Sequence, residues 1–311
     1  MSAGAASVIP VSLVAAVDIG GTTIKAALVD GDLRVRHTLR RPTPYGADAV
    51  LDAVTKVLAE LDQLADAPVA AAGVVFPGLV DETARIARFS VNLGWRDLDL
   101  ADLADRTGRP TAIGHDVRAG ALAEWRLGAA KGYQDVAFVP VGTGVSAAFI
   151  ADGAMVVAGG YAGEIGHLVV EPDGEPCPCG GRGCLETVGS ASALARRYSA
   201  LTGEDVSAAL EVLDRMRAGD VVAAQVWNQG VDALADTLAT VVTVLAPEVV
   251  VIGGGLSGAG PALFDPLRAR LGARLTFQRV PTVVAAALGD QAACLGAALL
   301  ALDHLQTRSG E

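Results

Sequence analysis

Three of the four cysteines fall within eight residues, as Cys177-Pro178-Cys179 and then Cys184, and a histidine, His167, precedes them. A tetrahedral zinc ion draws thiolate and imidazole ligands from short Gly- and Pro-rich connections of this kind. The competing reading is a set of thiols in a glycine-rich loop, or a disulfide with one cysteine to spare. Cys177 and Cys179 are too close in sequence for a relaxed disulfide. Cys294 stands apart in an apolar helical stretch, where a small buried hydrophobe is the default. His167, Cys177, Cys179 and Cys184 therefore make a complete Cys3His set with no position left open, so the zinc would be structural. Glu164 and Glu186 flank the set, which suggests that the ion holds a binding site still.

A second kind of chemistry is written in glycine turns. Asp18-Ile19-Gly20-Gly21-Thr22-Thr23, followed by Lys25, places two glycines after an apolar run. Backbone N-H groups there can approach a phosphate, while the hydroxyls and the carboxylate can hold phosphate oxygens and hydrated Mg2+. It is not a Walker A loop, because no Gly-Lys-Ser or Gly-Lys-Thr follows at the required spacing. Gly142-Thr143-Gly144 repeats the device, and Gly253-Gly254-Gly255 supplies a third turn after an apolar run, where open α/β sheets bind ligands. Any one of them would pass as an ordinary turn; three together point to a nucleotide held between two halves.

The elements that position these residues follow from composition and periodicity. A chain of 311 residues that is 51% hydrophobic can bury a large core, and the length suits two domains. Aromatic residues are few, so the core must be built mostly of Ala, Val and Leu. The net charge of -11 comes without a basic run, which argues against a nucleic-acid surface, an acidic membrane and a polyphosphate groove. Residues 1–17 lack the N-terminal cation of a signal peptide and lead directly into the first glycine turn. No apolar run reaches membrane-spanning length. Clustered thiols without a secretion signal indicate a reducing cytoplasm.

Residues 13–17, 24–29 and 33–39 read as a three-strand meander. Helical spacing covers 47–64, then strands are expected at 69–75 and 111–113 and a helix at 119–127. Strands at 136–139 and 145–150 flank the second Gly-Thr turn, so that strand, turn, strand occurs twice and suggests two related halves. Helices follow at 191–202, 206–217 and 221–245, then a strand at 249–252, a helix at 262–271, a strand at 283–287 and a helix at 291–302. The alternation implies an α/β architecture.

In this order the motifs resemble those of the ROK family (repressors, open reading frames and sugar kinases), over about residues 14–300. Asp18 to Thr23 resembles its first phosphate motif, Gly142 to Gly144 its second and Gly253 to Ser257 its adenosine motif. Gly163-Glu164-Ile165-Gly166-His167 with the cysteine knuckle resembles its signature, the most specific of the four. The resemblance implies a two-domain actin-like ATPase (ribonuclease H-like) fold with a zinc-binding loop, closing over ATP and a sugar. The expected division is a disordered lead at 1–12, an N-terminal α/β domain at 13–117 and a C-terminal α/β domain at 118–311, with room for the last helix to pack back on the first domain. With the first phosphate motif at residue 18, no room is expected for the DNA-binding domain of the family's repressors.

The resemblance also implies roles. Asp116 matches the general base, a position where an Asp would otherwise read as a helix N-cap. Glu164, His167 and Glu186 match sugar-hydroxyl ligands, with His167 serving sugar and zinc through its two ring nitrogens. Asn92 matches a further sugar contact, and Gly78 is expected beside the same pocket. Asp18, Gly20, Gly21, Thr22, Thr23, Lys25, Gly142, Thr143, Gly144, Gly253, Gly254 and Gly255 are expected to hold Mg2+-ATP. One departure stands out. The family's hexokinases usually read Glu-Asn-Asp-Ala-Asn around the base, whereas this chain reads Gly114-His115-Asp116-Val117-Arg118. His115 replaces an Asn that contacts sugar. Arg118 adds a cation that would either stabilise transferring phosphate or pair with a surface acid.

The expected activity is ATP-dependent phosphorylation of glucose at its 6-hydroxyl, by a cytoplasmic homodimer or homotetramer. Alternative acceptors are N-acetylmannosamine, fructose and allose, polyphosphate is an alternative donor, and a non-catalytic sugar sensor is the rival from another class. Retention of Asp116 and of all three nucleotide turns speaks against the sensor.

Overall fold

The computed structural model describes residues 13–90 and 92–309, and the expected lead at 1–12 lies outside them. The chain divides into two compact units, one running to Gly120 and resumed at Gln291, the other spanning Ala121–Asp290. In this division the residues that follow Asp290, and with them the last helix, are grouped with the first unit.

In the first unit the elements are β1 (Leu13–Ile19), β2 (Thr23–Val29), β3 (Val35–Pro42), α1 (Ala47–Leu64), β4 (Val69–Phe76), β5 (Leu79–Asp81), β6 (Ile86–Ser90), β7 (Trp95–Asp99), α2 (Leu103–Thr107), β8 (Thr111–His115) and the start of α3 (Asp116–Arg126). The second unit contains β9 (Val136–Pro140), β10 (Ala148–Ala151), β11 (Ala154–Met155), α4 (Leu185–Gly189), α5 (Ala191–Thr202), α6 (Ala209–Arg217), α7 (Val221–Leu245), β12 (Val249–Gly253), α8 (Pro261–Arg274) and β13 (Thr282–Ala285). Helix α9 (Ala292–Ser309) then completes the first unit.

The main sheet of the first unit runs β3-β2-β1-β4-β8, with β1 antiparallel to β2 and parallel to β4, and β4 parallel to β8. β1 is buried along its whole length, and apart from Asp18 it is apolar throughout, as a strand covered on both faces requires. On one face, Val50, Leu51, Val54, Val57, Leu58 and Leu61 of α1 recur at helical spacing over Ala15, Val17 and Ile19. On the other, Cys294, Ala297, Ala298 and Ala301 of α9 pack on Val14, Ala16, Ala27 and Val29. Small residues let this helix approach closely: a side chain at Gly73 would collide with the carbonyl of Ala297.

The sheet of the second unit runs β11-β10-β9-β12-β13, with β9 antiparallel to β10 and parallel to β12, and β12 parallel to β13. Both sheets therefore share one plan, two antiparallel pairings followed by two parallel ones, which is the repetition suggested by the paired Gly-Thr turns. α7 dominates the core here, with Trp227 fully buried and donating to the Ala262 carbonyl at 3.2 Å.

Several boundaries differ from expectation for local reasons. α3 begins at Asp116 itself, three residues earlier than its apolar pattern. Val145 makes only an isolated bridge to Val141, so β10 starts at Ala148. Val206 is held by the Ser199 hydroxyl, 3.0 Å from its N-H, and α6 starts after it. The last strand ends at Ala285 because the N-H groups of Ala287 and Leu288 turn to the Glu124 carboxylate. The three-stranded sheet β5-β6-β7 and α2 had no clear periodicity and were not anticipated. Among the described residues no helix is long and apolar enough to cross a membrane.

Candidate active site

In the first unit the chemistry-bearing residues gather where the parallel strands β1, β4 and β8 end. Ligands are bound in open α/β sheets outside these carboxyl ends. Asp18 is the penultimate residue of β1 and is buried, with Lys25 Nζ of β2 at 3.8 Å from its carboxylate. The turn into β2 is closed by Gly20 N-H on the Thr23 carbonyl at 3.1 Å. Thr43 clamps it from the far side, its hydroxyl donating to the Gly20 carbonyl at 2.7 Å and its N-H to the Thr22 carbonyl at 3.0 Å. Gly21 is exposed, and a Cβ there would lie 3.9 Å from Cβ of Asn92. Asn92, in the turn between β6 and β7, is thus beside the Gly20–Gly21 turn. Gly78 follows β4 at φ +88° against the carbonyl of Phe89 in β6, a contact that leaves no room for a side chain.

The next parallel strand, β8, ends at His115, and Asp116 opens α3. Asp116 Oδ1 accepts from Val117 N-H at 2.7 Å and lies 3.1 Å from Nε2 of His115. His115 Nδ1 accepts the backbone N-H of Arg118 at 3.4 Å, which leaves Nε2 as the protonated nitrogen. Burial pushes the imidazole pKa down to about 3, with the Arg118 cation adding to the effect, so the ring is neutral at any working pH. Arg118 is 3% exposed and donates from Nε to Glu82 Oε1 at 3.1 Å and from Nη2 to the Val80 carbonyl at 2.6 Å. The same Glu82 oxygen accepts His115 N-H at 3.0 Å. Arg118 is therefore an interior tie between α3 and the β5 segment, and of the two roles expected for it the structure gives the partner acid. Glu82 was not singled out in the sequence; an acid in a turn 36 residues from its partner leaves no local signal.

In the second unit the turns after β9 and β12 are stitched together. Val141 N-H donates to the Gly253 carbonyl and Leu256 N-H to the Val141 carbonyl, both at 3.0 Å. Gly254, at φ +73°, packs against Val141 where a Cβ would clash. Within the first of these turns Gly142 N-H reaches the Gly144 carbonyl at 2.9 Å, and the Ser192 hydroxyl donates to the Thr143 carbonyl. Glu186, on α4, accepts Val145 N-H at 3.0 Å, and its carboxylate lies in the space that a side chain at Gly144 would need. One carboxylate thus joins the Gly142–Gly144 turn to the cysteine loop.

The loop itself fits a metal. The nitrogen of His167 and the sulfurs of Cys177, Cys179 and Cys184 all lie within 4.8 Å of one another. Cys179 Sγ is 3.7 Å from Cys184 Sγ and Cys177 Sγ 3.7 Å from His167 Nδ1. A tetrahedron with Zn–S bonds of about 2.3 Å has S–S edges of about 3.8 Å. His167 turns Nδ1 to this group and Nε2 toward Glu164 Oε2, 3.7 Å away. Burial pushes the Cys184 thiol up to about 12 and raises Cys177, whereas the Gly181 N-H lowers Cys179. A cation among the sulfurs would reverse the first two effects. Gly163 and Gly166 lie against the carbonyls of Ala147 and Val145, where a Cβ would clash, which seats Glu164 and His167 beside the chain that leaves the Gly142–Gly144 turn.

Comparison with known proteins agrees with this arrangement. Residues 14–304 match the ROK family. The chain is 35% identical to a glucokinase of Thermotoga maritima, covering 93% of this chain and 97% of that one. It is also 35% identical to an N-acetylmannosamine kinase of Citrobacter koseri, over 92% and 97%. The crystal structure of a ROK family glucokinase from Streptomyces griseus, in complex with glucose and AMPPNP, superposes with a TM-score of 0.82 at 31% identity, covering 94% of this chain and all of that one. Two units on one sheet plan, each with a glycine turn after its central strand, β1 or β9, define an actin-like ATPase fold. The chain belongs to the ROK family.

Proposed function

We propose that the protein is an ATP-dependent sugar kinase that converts glucose to glucose 6-phosphate. The observation that carries this reading is Asp116, a carboxylate held by hydrogen bonds at the end of β8, in the same row of strand ends as the phosphate turn after β1. Phosphoryl transfer asks for little beyond positioning, charge neutralisation and a group to take the acceptor's proton. As the sugar oxygen bonds to the γ-phosphorus, Asp116 takes the hydroxyl proton and ADP departs with the electrons of the broken P–O bond. Similarity to glucokinases over nearly their full length supports glucose as the acceptor.

In the first unit we assign Gly20, Gly21, Thr22, Thr23 and Lys25 to the phosphates, and Asn92 and Gly78 to the sugar side. Asp18, with the Thr hydroxyls, would hold Mg2+, which neutralises phosphate charge when bound. In the second unit Gly142, Thr143 and Gly144 are assigned to phosphate and Gly253, Gly254 and Gly255 to the adenosine part. Glu164, His167 and Glu186 are assigned to sugar hydroxyls. His167, Cys177, Cys179 and Cys184 would hold one structural zinc ion, which fixes the loop carrying Glu164 and His167. A cytoplasmic homodimer or homotetramer completes the proposal, on the strength of the family resemblance.

An amino sugar is the second reading, favoured by the equal identity to an N-acetylmannosamine kinase. Product analysis by phosphorus NMR, after incubation with Mg2+-ATP and either sugar, separates them. Glucose 6-phosphate is expected. Turnover of N-acetylmannosamine alone would transfer the assignment to that sugar.

A further inference from the structure

Where a sugar contact would need a polar group offered outward, His115 is a buried ring with both nitrogens engaged inside the first unit. Its Nδ1 accepts a backbone N-H, its Nε2 faces the Asp116 carboxylate, and its own N-H goes to Glu82. We propose that His115 is a positioning residue for Asp116, its Nε2-H fixing one carboxylate oxygen, and that Glu82 and Arg118 hold the imidazole in the tautomer that makes this possible. The inference rests on Asp116 being the base of the proposed kinase.

The arrangement is directional. A neutral imidazole has one donor and one acceptor, and Arg118 N-H on Nδ1 leaves the donor at Nε2. Burial keeps the ring from taking a second proton, so it gives Asp116 a hydrogen bond without a full positive charge. Oδ1 then carries the bonds from Val117 N-H and His115, and Oδ2 makes neither of them. Around the imidazole the charged groups are Asp116 and Arg118 on α3 and Glu82 after β5, while its strand neighbour on β4 is the apolar Phe76. Arg118, whose backbone N-H sets the tautomer, also donates through its guanidinium to the Val80 carbonyl, which ties α3 to β5, the first strand of the small sheet whose β6–β7 turn carries Asn92. The base and the residue assigned to the sugar are thereby kept in register within one unit.

The test uses the fact that Gln and Asn imitate different ring nitrogens. The amide nitrogen of Gln stands near the place of Nε2, and that of Asn near Nδ1. With the full chain and Mg2+-ATP, kcat and KM for glucose are measured from pH 4.5 to 8.5 for wild type, His115→Gln, His115→Asn and His115→Ala. Loss of a donor to a carboxylate raises the pH at which that carboxylate protonates. His115→Asn and His115→Ala are expected to move the acidic limb of the kcat/KM profile up by about one pH unit, the shift that corresponds to the tenfold factor one charge-assisted hydrogen bond carries. His115→Gln is expected to keep the wild-type profile. The inference is overturned if His115→Asn keeps that profile and changes only the glucose KM, or if His115→Gln fails as badly as His115→Ala. An activity-independent readout separates this from failure of the kinase reading itself. Nitrogen NMR of the labelled imidazole should show the neutral Nε2-H tautomer at pH 6, with a shift on Asp116→Asn. A ring protonated at pH 6, or the Nδ1-H tautomer, would overturn the proposal whether or not any sugar is phosphorylated.

Discussion

Acid should destabilise this protein through His115 in a way that can be isolated and measured. In the folded chain burial pushes the imidazole pKa from 6.5 down to about 3, while the unfolded chain titrates near the ordinary value. Above pH 6.5 both states are neutral at this residue and it adds no pH dependence. As the pH falls below 6.5 the unfolded chain takes up a proton that the folded chain refuses, so folding stability drops, and the loss levels off near pH 3. Each pH unit within that window is worth about 1.4 kcal/mol, so lowering the pH from 7.5 to 5.0 removes about 2 kcal/mol through this one group. His115→Gln has nothing to titrate. Urea unfolding of both proteins at pH 7.5, 6.5, 5.8 and 5.0, followed by fluorescence of Trp95 and the other tryptophans, gives the difference in stability at each pH. Contributions from groups common to both proteins cancel. The variant should gain about 2 kcal/mol on wild type between pH 7.5 and 5.0, whatever its standing at neutral pH. A difference that stays flat across the range would show that His115 titrates normally when folded and would refute the buried neutral ring.

Asp116→Asn should lower kcat by about 10²- to 10⁴-fold, the range general bases contribute, with glucose binding by calorimetry largely retained; a loss of binding with normal turnover would reverse the role assigned. Metal analysis of the purified protein should find about one zinc per chain, and Cys179→Ser should fall well below that; full occupancy in the variant would remove the proposed ligand set. Glu124 is fully buried and accepts N-H groups of Ala129 at 2.8 Å, Ala287 at 3.1 Å and Leu288 at 2.8 Å. Glu124→Ala strands three donors and should cost at least about 3 kcal/mol, read as a fall in Tm; an unchanged Tm would contradict the burial. Gly144→Ala puts a methyl group where the Glu186 carboxylate lies and should impair turnover more than stability.

What the sequence made legible was local. Helix spacing over 47–64 and 221–245 matches α1 and α7, because in each an apolar stripe at period 3.6 faces a sheet or a helix layer. The glycine turns were legible because close backbone approach admits nothing larger, as at Gly144 against Glu186 and Gly254 against Val141. The Cys3His set was legible because ligand spacing on a short loop already limits where the sulfurs can go. The small sheet β5-β6-β7 was not legible, since three short strands carry too few residues to show an alternation. Glu82 and Glu124 were invisible for another reason: each is an unremarkable acid until folding brings N-H donors from distant segments to it. The orientation of His115 likewise depends on a backbone donor three residues on, in a helix that starts earlier than its apolar pattern.

The proposed role of Asp116 as the base of a glucose-phosphorylating ROK kinase is tested most directly by a coupled ADP-release assay over glucose, fructose, allose, N-acetylmannosamine and other hexoses, with Asp116→Asn as the control. Wild type should release ADP with glucose far above the rate without sugar, and the variant should not. If no sugar stimulates ADP formation above the Asp116→Asn protein, the kinase assignment is contradicted.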